Sequence, residues 1–211
     1  MTRRTAPCPN CGAVIEFVWA DAVQTTCSYC RSVLVRHDID LEKVGTTASL
    51  PLTPSPLQLG TEGRYKGDAF TVIGRLVYEW ERGGWSEWHL RMATGKSGWL
   101  SDAQADYEIS FLAQSTESPP LADKVEPGTR LLHGPVTFAA TSVTRAHYTG
   151  TEGELPFEYW DKREVVFADF RAATGAFATL DYSEEPPLLF VGEPVDLDKL
   201  DLRNMRPFEG W

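Results

Sequence analysis

Four cysteines, and no others, stand at Cys8, Cys11, Cys27 and Cys30, so the first thirty residues spell C-x2-C-x15-C-x2-C. Each C-x2-C forms a tight turn that aims two thiolates at one point, and two such turns complete the tetrahedral sulfur shell that zinc prefers. The flanks permit the bends, with Pro7, Pro9, Asn10 and Gly12 around the first pair and Ser28 within the second. Two disulfides or a redox-active pair are the alternatives. No apolar run precedes Cys8, so the reading expects no secretory leader and a reducing, cytoplasmic setting in which disulfides do not persist. A redox pair follows a strand and opens a helix, which a duplicated, Pro-flanked pair does not resemble. The expected cofactor is a structural Zn2+, all of whose positions are sulfur, leaving none open for a substrate water. Its role would be to replace the hydrophobic core that so small a module cannot build.

Other chemistry is sparser. Gly95-Lys96-Ser97 has the end of a phosphate-binding loop, but Leu90 stands where that loop needs a glycine, and no long helix follows. The histidines His37, His89, His133 and His147 are scattered and have no sequence-local catalytic partner. No catalytic residue is assigned. Aromatic residues are denser, with Trp80, Trp85, Trp88 and Trp99 within one short stretch and Trp19, Trp160 and Trp211 elsewhere. Tyr78 and Trp80 alternate on one strand face, with Phe70 and Val72 in phase. These rings either fill the core of a small β-barrel or form an aromatic groove in which Trp80, Trp85 and Trp88, with Glu79 and Glu87, receive a cationic amine or a partner.

The formal charge is −10, and it is uneven: residues 1–40 are neutral and residues 126–211 the most acidic. Affinity for phosphate backbones comes from clustered Lys and Arg, and the ribbon offers only Arg3, Arg4, Arg31 and Arg36. The composition argues against nucleic acid. No apolar stretch approaches the ~20 residues that cross a bilayer, so any membrane association would pass through a partner.

The elements that must position these residues are strands. Val, Ile, Phe and Trp in Ala13–Trp19 and Ser32–Arg36 give the short strands of a zinc ribbon. From Leu57 onward, β-branched and aromatic runs are punctuated by glycine, as in Phe70–Tyr78, Trp85–Leu90 and Tyr107–Leu112. The fold class is mainly β: an N-terminal zinc ribbon, then a small antiparallel β-barrel or sandwich, read either as one module or as two SH3-like repeats. An echo supports duplication, for Arg91-Met92-Ala93-Thr94-Gly95 returns as Arg171-Ala172-Ala173-Thr174-Gly175, and Gly60-Thr61 as Gly128-Thr129. The offset grows from 68 to 80 residues, which places an insertion of about twelve within Thr149–Asp161. The expected divisions are ribbon 1–40, Pro/Ser/Thr-rich linker 41–56, first repeat 57–114, second repeat 121–195 and C-terminal tail 196–211. Leu197–Asn204 is the best short helix, and Trp211 is expected to dock on the barrel.

With these residues in view, the region from 57 to 211 resembles the bacterial domain-of-unknown-function family DUF4178. The likeness rests on Val72-Ile73-Gly74-Arg75, Trp85–Leu90, Trp99-Leu100, Gly153–Phe157, Phe167–Phe170, Phe177–Ser183, Leu189–Glu193 and the ending Phe208-Glu209-Gly210-Trp211. The resemblance brings no catalytic residue with it. It implies an N-terminal ribbon and genomic association with polyamine-synthase-like proteins, small membrane proteins and envelope-stress scaffolds. The functional expectation is a non-catalytic zinc-ribbon adaptor or binding protein of a bacterial multi-protein system, with a protein partner. The alternatives are a sensor or enzyme for polyamines or other small cations, using the aromatic-acidic pocket, and nucleic-acid binding by the ribbon.

Overall fold

A computed structural model of the chain describes residues 4–37, 40–47, 50, 55–114, 118–158 and 164–207. It is almost wholly antiparallel β. The ribbon comprises β1 (Arg4–Pro7), β2 (Val14–Phe17), β3 (Gln24–Thr26), β4 (Ser32–His37) and β5 (Asp40–Thr46). The first two pair with each other as a separate sheet, and β3, β4 and β5 pair in that order. A core of Ala6, Cys8, Ile15, Phe17, Ala22, Cys27 and Leu34 lies between them.

Two five-stranded units follow. The first is β6 (Glu62–Tyr65), β7 (Asp68–Trp80), β8 (Gly83–Met92), β9 (Ser97–Ala103) and β10 (Asp106–Ala113); the second is β11 (Arg130–His133), β12 (Val136–Leu155), β13 (Glu164–Ala172), β14 (Phe177–Asp181) and β15 (Leu188–Pro194). Their construction repeats in detail. The amides of Gly60 and Gly128 bond to the carbonyls of Val72 and Ala140, and those of Met92 and Ala172 to Lys96 and Ala176. The hydroxyls of Thr61 and Thr129 accept from the amides of Gln58 and Glu126. A β-bulge falls at Val72/Gly74 in β7 and at Ala140/Ser142 in β12, again 68 residues apart.

The units join edge to edge, β7 to β12 and β10 to β15, so that β7, β8, β9, β10, β15, β14, β13 and β12 form a closed ring. Closure leaves these strands without free edges. Side chains alternate between two faces. One face of each unit builds its own core: Phe70, Val72, Trp88, Leu90, Met92, Leu100 and Ile109 in the first, Phe138, Ala168, Phe170, Leu180 and Leu189 in the second. The other face is common to both units and holds Leu76, Tyr78, Trp99, Tyr148 and Leu155. The bulge overturns the phase expected for β7. Its extra residue rotates the strand, so Phe70 and Val72 enter the first unit's core while Tyr78 and Trp80 turn to the common face.

The segment expected as linker from residue 41 is corrected at its start. Asp40–Thr46 has backbone partners in β4 and is a strand. The Thr47 hydroxyl accepts from the amide of Thr151, and Ser55 and Leu57 are buried against the first unit. Residues 48–49 and 51–54 lie outside the described residues. Among the described residues of the tail, only Leu197–Leu200 is helical, as one 3-10 turn whose Leu197 and Leu200 close the first unit's core. Trp160 and the ending Phe208–Trp211 lie outside the described residues.

Candidate functional site

The four cysteines converge. Their sulfurs lie within 4.8 Å of one another, with Cys8 to Cys30 at 3.7 Å and Cys11 to Cys27 at 3.8 Å. A tetrahedral metal with metal–sulfur bonds of about 2.3 Å places its ligands about 3.8 Å apart, so the residues fit such an ion. The two knuckles share one backbone design. The amides of Cys8 and Cys27 bond to the carbonyls of Ala13 and Ser32, and those of Gly12 and Arg31 bond back to Cys8 and Cys27. The residue after the second cysteine of each knuckle is left-handed, at φ +75° in Gly12 and +58° in Arg31. Glycine adopts that conformation freely, whereas the arginine is held there by the turn. The Ser32 hydroxyl lies 3.2 Å from the Cys30 sulfur, and hydrogen bonds from Ser32 hold that thiol down to about 5. Of the ribbon arginines, Arg4 and Arg31 are exposed, Arg36 bonds to the carbonyl of Ala20 and covers the Phe17 ring, and Arg3 lies outside the described residues.

The second candidate is a cavity of about 320 Å³ on the ring's common face, and all eight ring strands contribute to its lining. One side is aromatic. Tyr78 stacks on Trp85 at 5.0 Å, Phe167 stands edge-on to both, and Phe157 stacks on Trp99 at 5.6 Å. The other side is polar, carrying Glu87, Glu108, Asp169 and Asp181 among Ser101, Ser110 and Thr179, with Arg171 as its one cation among the described residues. Arg171 pairs with Glu108, and Asp169 accepts from the hydroxyls of Ser142 and Thr179 at 2.9 Å. Glu87 accepts from the Trp85 indole N–H at 2.9 Å and has no cationic partner among the described residues. Burial pushes its carboxyl up to about 8, and the nearby Glu108 and Asp169 add to the rise. Burial likewise raises Glu108 and Asp181 above the usual carboxylate range.

The structure divides the expected aromatic-acidic set. Trp80, Trp85 and Glu87 line the cavity. Trp88 points the other way, 2% exposed in the first unit's core under the Arg75 guanidinium, and Glu79 faces solvent. Sequence reasoning did not find Glu108, Asp169, Asp181, Phe157 or Phe167. In a strand such as Tyr107-Glu108-Ile109-Ser110, alternation marks a polar face but does not distinguish solvent from an enclosed space. Gly95 turns the β8–β9 hairpin at φ +89°, so Gly95-Lys96-Ser97 belongs to a hairpin and not to a phosphate loop.

The family model described as a domain of unknown function, DUF4178, matches residues 58–197. No curated protein and no solved structure matches the chain. The match takes in the whole ring and leaves the four-cysteine ribbon upstream of it; on this evidence the protein belongs to the DUF4178 family.

Proposed function

We propose that the protein is a non-catalytic binding protein in which a structural zinc ion holds the ribbon and the ring cavity receives a small organic cation of the polyamine type. The observation that carries the reading is the cavity itself, to which eight strands contribute, with aromatic rings opposite carboxylates that outnumber the cations among the described residues of its lining. Its volume lies in the range of small-molecule sites. Aromatic faces attract an ammonium ion, and carboxylates accept its N–H groups. Four thiolates select a soft, tetrahedral ion, and a closed sulfur shell suits structure rather than hydrolysis.

This reading departs from the expected adaptor with a protein partner and takes up the small-cation alternative. A small ligand is favoured over a protein partner for the aromatic cluster because Trp80 and Trp85 face a cavity and Trp88 faces a core. Titrating spermidine into metal-loaded protein at physiological ionic strength, with tryptophan emission as readout, should give a saturable change. Replacing Glu87 by Gln should weaken it by up to about tenfold, the worth of one charge-assisted hydrogen bond less the cost of ionising the buried carboxyl near neutral pH. Absence of saturation, or equal affinity in the variant, would overturn the proposal.

A further inference from the structure

The twelve-residue difference between the repeats has a definite place. Up to Tyr148 the second unit runs 68 residues behind the first, and from β13 onward it runs 80 behind, so the surplus falls at about residues 149–160. Of these, 149–158 are described. They form the end of β12 and an arm beyond it.

This arm touches both sites. Toward the ribbon, Glu154 and Leu155 pair with Thr25 and Gln24 of β3, directly before Cys27. The Glu154 carboxylate accepts the amides of Val18 at 2.7 Å and Trp19 at 2.9 Å. Toward the ring, Gly150–Gly153 pair with β7, Leu155 is buried beside Leu76, Tyr78 and Trp99, and Phe157 lies over Trp99. A buried histidine bridges the two. The His89 ring sits 5.0 Å from both Trp19 and Trp99, and its Nδ1 is 2.8 Å from the Glu154 carbonyl oxygen. There is no slack at the seam: a Cβ on Gly74 would stand 2.1 Å from the Glu154 oxygen, and one on Gly153 would stand 2.2 Å from that of Ile73.

We infer that the arm couples the ribbon to the cavity, whose lining it enters through Phe157, so that the state of the four-thiol site sets the order and ligand affinity of the ring interior. Without its metal, a module this small loses the force that holds β3 and the Val18–Trp19 loop in place. Glu154 then loses its amide donors, and the arm loses one of the two surfaces it lies against. The affinity part rests on the ligand reading above; the order part stands without it.

The test is amide hydrogen exchange on the full chain, reduced and zinc-loaded, then stripped by chelation, with Glu154→Ala in the loaded state as a second perturbation that leaves the cysteines and the cavity lining intact. Exchange should quicken at 150–157 and at Leu76–Tyr78 in both cases. Spermidine should bind at least about fivefold more weakly, the lower end of measured couplings between sites. Faster exchange confined to residues 4–46 on stripping, with the variant protected like the loaded wild type, overturns the inference. If spermidine fails to bind every form while exchange still spreads into the ring, the coupling holds and the ligand proposal alone falls.

Discussion

Replacing Glu87 by Gln should change how stability depends on pH. In the folded chain burial lifts this carboxyl from its ordinary 4.5 to about 8, so between those values the native state keeps a proton that the unfolded chain has released. Stability is therefore fully present below 4.5 and declines as pH rises through about 8. Each pH unit inside the window costs about 1.4 kcal/mol, which integrates to about 2.5 kcal/mol between about pH 5 and about pH 7. The amide is neutral throughout and can still accept from the Trp85 indole N–H. Urea unfolding of both zinc-loaded proteins across this range should show the variant gaining about 2.5 kcal/mol on the wild type from the acid to the neutral end. Parallel curves would refute the argument, for they would mean that cavity water solvates Glu87 as well as bulk water does. A bound cation reverses the balance, because the carboxyl ionises to meet it. Spermidine binding near neutral pH should then release protons, measured by calorimetry in buffers of different ionisation enthalpy.

Two further outcomes follow from the seam between ribbon and ring. Gly74→Ala should cost about 1–3 kcal/mol in chemical denaturation, since the new methyl group meets the Glu154 carbonyl with no room to yield; a gain of the usual few tenths would show that the seam relaxes. His89 should appear by nitrogen NMR as the neutral Nδ1–H tautomer, donating to the Glu154 carbonyl and accepting from Ser97 at Nε2, with a midpoint near the value of about 4 to which burial depresses it. Its contribution to stability is then present above 6.5 and lost as pH falls through about 4, whereas a midpoint near 6.5 would place the ring in contact with water.

The four-cysteine cluster was legible because a thiolate pair with two residues between its members has few uses besides holding a metal, and the structure brings all four sulfurs together. The duplication was legible from an echo at one hairpin, and the matching bulges and turn hydrogen bonds show why that hairpin recurs. The cavity was hidden for two physical reasons. Closing a ring gives each strand a second buried face, and polar residues on that face look like a solvent side. The bulge in β7 then shifts the alternation between Val72 and Leu76, so reading Phe70 forward assigns Tyr78 to the wrong face. Part of the division was nevertheless available, because Trp85 and Trp88 are three apart and cannot share one side of a strand. Strand β5 escaped notice because an edge strand exposed along much of its length has little apolar rhythm.

The bulges recur at the same place in both copies, yet the arm occurs once. A ring assembled from two identical single-unit chains would be bound by its two-fold axis to carry such an arm twice or not at all, and its interior would be the same from either end. Fusion into one polypeptide lifts that constraint. One half was free to lengthen a strand, recruit the ribbon and set Phe157 across Trp99, while the other kept the short turn at Glu81-Arg82. The chamber therefore has a head and a tail, and a molecule lying in it has a preferred direction.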